Sequence, residues 1–240
     1  MQVINAEWER RNFGMQVYEI LLDEADLERF DEVLRWLREQ NFKETYVIVK
    51  LPVGDLKALH ALEDEGFRFL ETQLFFTEHF TPKQAAGEAA KQAASRVTKR
   101  VVQKTKEAWE RVIEKIGVGM FATDRVSLDP HLGNEIAHKR YQNWCKDLFE
   151  KPNSFMVVGE LDGEEYCFGI YLDNGESVDI VLNGIFESHK GLGLGGTLLE
   201  GVSPLKKTTT TSSNNPAAVK VYGRGGMIVS KELYVLRKIY

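Results

Sequence analysis

The chain has only two cysteines, six prolines and five histidines in 240 residues, and no long apolar run. Each scarcity excludes something. Cys145 and Cys167 show no metal or redox spacing, so they read as reduced core thiols rather than a disulfide framework. The histidines are scattered without ligand spacing, and no metal is expected. The opening segment MQVINAEWERR lacks an apolar h-region, and no stretch nears the ~20 apolar residues of a membrane-spanning helix. These readings imply a cytoplasmic protein. Positive charge is also short: 31 Lys and Arg stand against 36 Asp and Glu, a formal net charge of −5. A dedicated binder of nucleic acid or anionic membrane shows the opposite bias, so neither partner is expected.

What is present is the composition of an ordinary globular chain, 43% hydrophobic and 28% charged, long enough for one large or two small domains. Residues 16–22 predict a strand. Residues 24–40 predict a helix from the spacing of Leu27, Phe30, Leu34 and Leu37. A β-branched run from Tyr46 to Leu51, a short helix over 55–65 stopped by Gly66, and a strand over 67–76 complete a β-α-β-α-β order. Residues 82–116 are alanine-rich and then basic. Ala86, Ala90, Ala93, Val97 and Val101 form one stripe, which predicts a long connecting helix. Nine Lys/Arg against four Glu between Lys83 and Lys115 make its exposed side cationic, either a wall that attracts a nucleotide or simply a solvated face.

Beyond it come a helix over 134–149 and strands over 155–160, 166–172 and 178–186. Asp162-Gly163 and Asn174-Gly175 supply the hairpin turns, so these three strands are antiparallel. A short helix over 194–202 ends before Pro204. A strand over 206–212, a helix over 215–222 and a strand over 232–239 that closes the sheet follow. The expected divisions are residues 1–80, a connecting helix over 81–117, and residues 118–240. An exposed edge beside residues 232–240 suggests a homodimer.

Lys190 to Gly196 reads KGLGLGG directly after an apolar strand. A glycine-rich turn that opens a helix leaves several backbone N–H groups aimed at one point, a pyrophosphate site. Gly191, Gly193 and Gly196 satisfy the dinucleotide fingerprint literally. Its context fails, because the preceding strands are hairpin-linked and no acidic residue follows about twenty positions on. The other register, Lys190-x-x-Gly193-x-Gly195, resembles the acyl-CoA motif Arg/Gln-x-x-Gly-x-Gly/Ala of the GNAT acetyltransferase superfamily. Asn215, Ala218, Tyr222 and Gly226 are similar to that superfamily's second hallmark, Asn-x-x-Ala-x-x-x-Tyr followed by Gly. Trp8-Glu9 with Phe13-Gly14, the run Gly66 to Thr72, Asp124-Arg125 with Asp129-Pro130, and Arg140-Tyr141 with Trp144 resemble the TDP-fucosamine acetyltransferase group within it. Lys190 departs from the usual Arg/Gln, the segment from Gly195 to Asn215 is short, and Gly225-Gly226-Met227 replaces a common Leu-Gly-Phe.

The resemblance implies an α+β GNAT fold: a mixed, mostly antiparallel, splayed sheet flanked by helices, with a smaller truncated GNAT-like α/β domain at the N-terminal side. It implies acetyl-CoA as cosubstrate and N-acetylation of a small primary amine such as a nucleotide-linked amino sugar. The CoA site would comprise Lys190, Gly191, Gly193, Leu194, Gly195, Gly196, Asn215 and Ala218. A backbone N–H near Ile185 would face the thioester oxygen, and Tyr222 would be the general acid. A phenol of pKa ~10 can protonate a thiolate of ~8.5 when positioned and desolvated. Tyr141 and Trp144, at i and i+3 on one helix, would stack on an acceptor ring or pack in the core. Asp179 would lie beside the acceptor. Two other readings stand open: acetylation of an amino acid, peptide or antibiotic, and a CoA-binding module without turnover.

Overall fold

The computed structural model describes residues 1–79, 96–200 and 202–240. Ten strands among them form a single hydrogen-bonded sheet, ordered β1-β2-β3-β10-β4-β9-β8-β7-β6-β5. In chain order these are β1 (Gln2–Asn5), β2 (Gln16–Leu21), β3 (Thr45–Pro52), β4 (Arg68–Glu78), β5 (Val97–Val101), β6 (Ser154–Leu161), β7 (Glu164–Asp173), β8 (Ser177–Ile185), β9 (Lys206–Ser212) and β10 (Met227–Ile239). Pairing is antiparallel except for β2 with β3 and β8 with β9.

Helices cover both faces, each placed by its own apolar stripe. In α3 (Phe30–Glu39), Val33, Leu34 and Leu37 are buried. With α4 (Leu56–Asp64), capped by Asp55 accepting from Ala58 N–H at 2.9 Å, they close over Ile20, Val47, Val49, Leu51 and Leu236. β3 is buried along nearly its whole length, which is why Tyr46 to Val49 runs apolar without alternating. On the other side of β3, α1 (Glu7–Phe13) and Val126 of α6 (Arg125–Leu128) cover Val17, Tyr46, Ile48 and Val235. Farther along the sheet, α5 (Lys106–Ile113) and α7 (Gly133–Glu150) pack Trp109, Val112, Tyr141, Cys145 and Leu148 on Met156, Val158, Phe168 and Ile170. The opposite face carries α8 (Pro216–Arg224), with Tyr222 against Leu74, Phe76, Val178 and Ile180. Both cysteines are buried and free. Burial pushes the Cys145 thiol up to about 12 and the Cys167 thiol up to about 11, so neither is a thiolate at neutral pH.

Four expectations change. Residues 24–40 form two helices, α2 (Glu24–Glu28) and α3. An Asp23–Asp26 capping box starts α2, and Arg29 lies between the two outside helical geometry. The helix expected over 81–117 is not continuous: Val97–Val101 is a strand paired with β6, and Thr105 caps the separate α5. β-branched residues favour the pleated surface over a helical stripe. The part of that expectation on residues 80–95 lies outside the described residues. Leu194–Leu199 is a 3₁₀ helix rather than an α-helix, since two glycines and a short span give little helical propensity. Finally, β10 does not form an edge. It sits between β3 and β4 and pairs with both, so no exposed edge beside 232–240 argues for a dimer.

Candidate active site

The decisive local event lies between β8 and β9. Their parallel ladder runs from Ser177 opposite Lys206 to Ile180 opposite Thr209, and ends there. β8 nevertheless continues to Ile185 and β9 to Ser212. A bulge explains the divergence: across from β7, Ile170 faces Leu182 and Tyr171 faces Ile180, so Val181 is the extra residue. A bulge bends its strand and increases local twist. The Thr209 hydroxyl donates to the Ile180 carbonyl at 2.8 Å, closing the apex of the split. Above the apex, β8 keeps its pairing to β7 but has no ladder to β9. Phe186 N–H donates to Tyr166 O at 2.8 Å. Alternation along the strand therefore turns the Ile185 N–H toward the open side.

A cleft of about 900 Å³ passes through this split. At its mouth, α8 presents Tyr222. Asn215 caps this helix, its side-chain oxygen accepting from Ala218 N–H at 3.0 Å, with Pro216 in the first turn. Asn215 and Ala218 thus have a structural duty beside any contact with a ligand. The Tyr222 ring is 5% exposed and lies 5.4 Å from Phe76. Its hydroxyl accepts from Asn183 Nδ2 at 3.2 Å. Burial raises the phenol's pKa, opposed by Thr209 and Asn183. Tyr222 therefore holds its proton at neutral pH.

The other wall is ionic. Lys50 donates to Glu19 at 2.9 Å, and Arg125 lies 3.4 Å from Glu19 and 3.5 Å from Glu71. Arg140 meets Glu9 at 2.7 Å and Asp124 at 3.9 Å, and Tyr141 donates to Asp124. Burial and Arg125 push the Lys50 ammonium down, with Glu19 opposing. Burial pushes the Glu19 carboxyl up, but Arg125 and Lys50 outweigh it and leave it below the usual carboxylate range. Behind this wall, the fully buried Asp129 accepts from Arg237 at 2.9 and 3.1 Å and from the Tyr46 hydroxyl at 2.6 Å. The separate stretches around Glu9, Glu71, Asp124 and Arg140 thus converge in space, which their sequence separation does not disclose.

The cleft brings together Tyr222, Asn215, Ala218, Tyr141, Trp144 and Asp179. Tyr141 is buried and stacked on Phe121 at 4.0 Å, with Arg140 over it at 5.7 Å. Its ring is part of the wall, while Trp144 is only half-buried. Asp179 accepts from Asn174 at 2.9 Å and from the Thr208 hydroxyl. Ile185, the last residue of β8, and Lys190, Gly191, Gly193, Leu194, Gly195 and Gly196, which follow it, do not line the cleft. Gly191 and Gly193 adopt φ of 81° and 74°, which a side chain resists. Gly195 is needed for packing: a Cβ there would stand 2.8 Å from Val221 Cγ2 on α8. Leu194 is core beside Tyr166 and Leu198, and Lys190 pairs with the exposed Glu187. Gly225 also has a packing reason, since a Cβ would meet Leu199 Cδ1 at 2.5 Å. Sequence reasoning missed Asn183, Gln73, Lys50, Glu71 and Thr209. Asn183 and Lys50, polar residues in mostly apolar strands, were the available signals. Among the described residues no group of three His, Cys, Asp or Glu could hold a metal ion, and no helix is long and apolar enough to cross a membrane.

The architecture is the GNAT fold. No protein-family model and no curated protein sequence matches the chain. Solved structures do. A GCN5-related N-acetyltransferase from Sphaerobacter thermophilus superposes with a TM-score of 0.59 at 14% identity, over 99% of this chain and 75% of that one. A GNAT-family acetyltransferase from Colwellia psychrerythraea gives 0.54 at 13%, over 90% and 73%. A functionally unknown conserved protein from Staphylococcus epidermidis gives 0.58 at 11%, over 94% and 84%.

Proposed function

We propose that the chain is an acetyl-CoA-dependent N-acetyltransferase acting on a small primary amine, by direct attack with Tyr222 as general acid. One observation carries this reading: the sheet parts between β8 and β9, and a buried, protonated phenol stands at the opening. The residues fit the cosubstrate. The edge of β8 beyond Ile180 offers backbone groups to a linear diamide chain as to an added strand. The turn at 190–196 offers N–H groups beside glycines that leave room for a diphosphate; no atom lies within 4 Å of a Cβ built at Gly191, Gly193 or Gly196.

Acetyl-CoA supplies the acetyl group as a thioester. The Ile185 N–H, turned to the open side, receives charge developing on the carbonyl oxygen. Tyr222 holds the proton that the departing thiolate needs. Because Asn183 donates to the phenol oxygen, the O–H proton stays directed away from Asn183 and available for transfer. Asp179, oriented by Asn174 and Thr208, draws the acceptor's ammonium toward the split, where it loses one proton to water. The neutral amine then attacks the carbonyl carbon as the C–S bond breaks, and its second proton returns through water to the Tyr222 oxygen that protonated the thiolate. Trp144 offers a partly open ring beside it. An amino sugar, including a nucleotide-linked one, is the acceptor class we favour.

The test is calorimetry with acetyl-CoA, followed by thiol release over a panel of amines. Micromolar binding with thiol release supports the proposal, and no binding of acetyl-CoA overturns it. Binding without thiol release from any amine favours the CoA-binding module, a reading to which the Glu187-paired Lys190 lends some weight.

A further inference from the structure

Gln73 stands in the cleft wall on β4, on the face it shares with Glu71 and Phe75 and opposite the one through which Leu74 and Phe76 pack toward Tyr222. Its side-chain amide makes no hydrogen bond to any described residue, and its Oε1 is buried without a partner. Buried polar groups are nearly always paired, so an amide whose oxygen is buried unpaired while its Nε2 stays open and unbonded at a cleft points to a partner for that Nε2 that comes from outside. Its neighbours are hydroxyls. Across β4 and β9, Gln73 faces Ser212, Phe75 faces Thr210 and Thr77 faces Thr208, and cross-strand partners share a face. All of them line the cleft. The cations of the same wall are engaged: Lys50 with Glu19, Arg125 with Glu19 and Glu71, Arg140 with Glu9 and Asp124. That leaves a neutral amide-and-hydroxyl surface on which a ligand's hydroxyls find donors and acceptors.

We infer that Gln73 is a specificity-determining residue for the acceptor: its amide Nε2, the end open to the cleft, donates hydrogen bonds to hydroxyl groups flanking the reacting amine, selecting hydroxylated amines over apolar ones. This rests on the acetyl-transfer reading. A site built to pair a substrate hydroxyl discriminates strongly against the analogue that lacks it, because the protein group is then left unpaired.

The test compares glucosamine with cyclohexylamine, a ring of equal size without hydroxyls, by thiol release at saturating acetyl-CoA. In the full chain, kcat/KM should favour glucosamine at least about tenfold. Gln73→Leu and the longer Gln73→Met should bring that ratio close to one through the glucosamine KM, with acetyl-CoA affinity by calorimetry unchanged. The ligand-free Tm should stay level or rise, because a buried unpaired oxygen is removed. A wild-type ratio near one, or a ratio kept by both variants, overturns the inference while acetyl transfer stands. A fall in Tm with the ratio kept assigns the amide to packing or to a bound water, and also overturns it. Failure of the wild-type chain to bind acetyl-CoA is seen before any amine is added, and removes both readings.

Discussion

Replacing Tyr222 with Phe deletes one oxygen from a ring that is 5% exposed and packed against Phe76 at 5.4 Å. Shape is kept, so the variant separates chemistry from packing. Two things are lost: the transferable proton and the acceptor of the Asn183 hydrogen bond. Loss of a positioned general acid costs about 10²–10⁴ in rate, or ~2.7–5.4 kcal/mol at ~1.36 kcal/mol per decade. Loss of one neutral hydrogen bond at 3.2 Å costs about 0.5–1.5 kcal/mol of stability, a fall of a few degrees at most in a domain of this size. Turnover should therefore collapse while Tm and acetyl-CoA affinity barely move. The pH profile adds a second readout. Burial raises the Tyr222 pKa, with Thr209 and Asn183 opposing, so the wild-type rate should hold through neutrality and fall only beyond the ordinary phenol value of ~10. The Phe variant should lack that alkaline limb. The sign for stability is the same. A pKa raised on folding contributes fully below the unfolded value, and that share is lost as pH rises through the folded one. Turnover within about twofold of wild type would refute the assignment, and so would an equal collapse of CoA affinity and turnover.

Gly195→Ala should destabilise the chain by about 1–3 kcal/mol in urea unfolding, because its Cβ meets Val221 Cγ2 at 2.8 Å. Acetyl-CoA affinity should fall with it, as the turn is pushed off α8. Gly196→Ala, with nothing within 4 Å of its Cβ, is the stability control, and equal midpoints for the two would contradict the packing argument. Asp129→Asn should cost about 3–5 kcal/mol by leaving the buried Arg237 guanidinium unpaired. Burial pushes the Asp129 carboxyl up, but Arg237, the Tyr46 hydroxyl and His131 N–H outweigh it and hold it below the usual range. Its contribution is thus present above ~3.9 and lost as pH falls through the lower folded value. Acid titrations of unfolding should show that dependence in the wild type and not in the variant.

The meander β6–β8 was legible because its information is local: Asp162-Gly163 and Asn174-Gly175 set the turns, and alternation set the faces. The helix that carries Tyr222 was legible for a similar reason, with the Asn215 cap and Pro216 marking its start. Non-local pairing was not. Nothing near residues 227–239 says that they run between β3 and β4. The valines at 97 and 101 fit a helical stripe until β6 is known to have a free edge for them. Glu71 and Arg125 belong to distant segments, and only the assembled sheet puts them 3.5 Å apart. The same holds for Gln73, whose missing partner is a property of the packed cleft. The glycine turn was legible as a turn, while the packing of Gly195 against Val221 was not, because that contact comes from a distant helix.

The strand from Met227 to Ile239 follows the other nine described strands and yet occupies an interior lane of the sheet. Until it emerges during synthesis, β3 and β4 expose facing rows of unsatisfied amides and carbonyls, a template for wrong partners. Biogenesis therefore resembles a zip whose slider is fitted last. A translational pause over that interval should lower soluble yield, and chaperone cover should restore it.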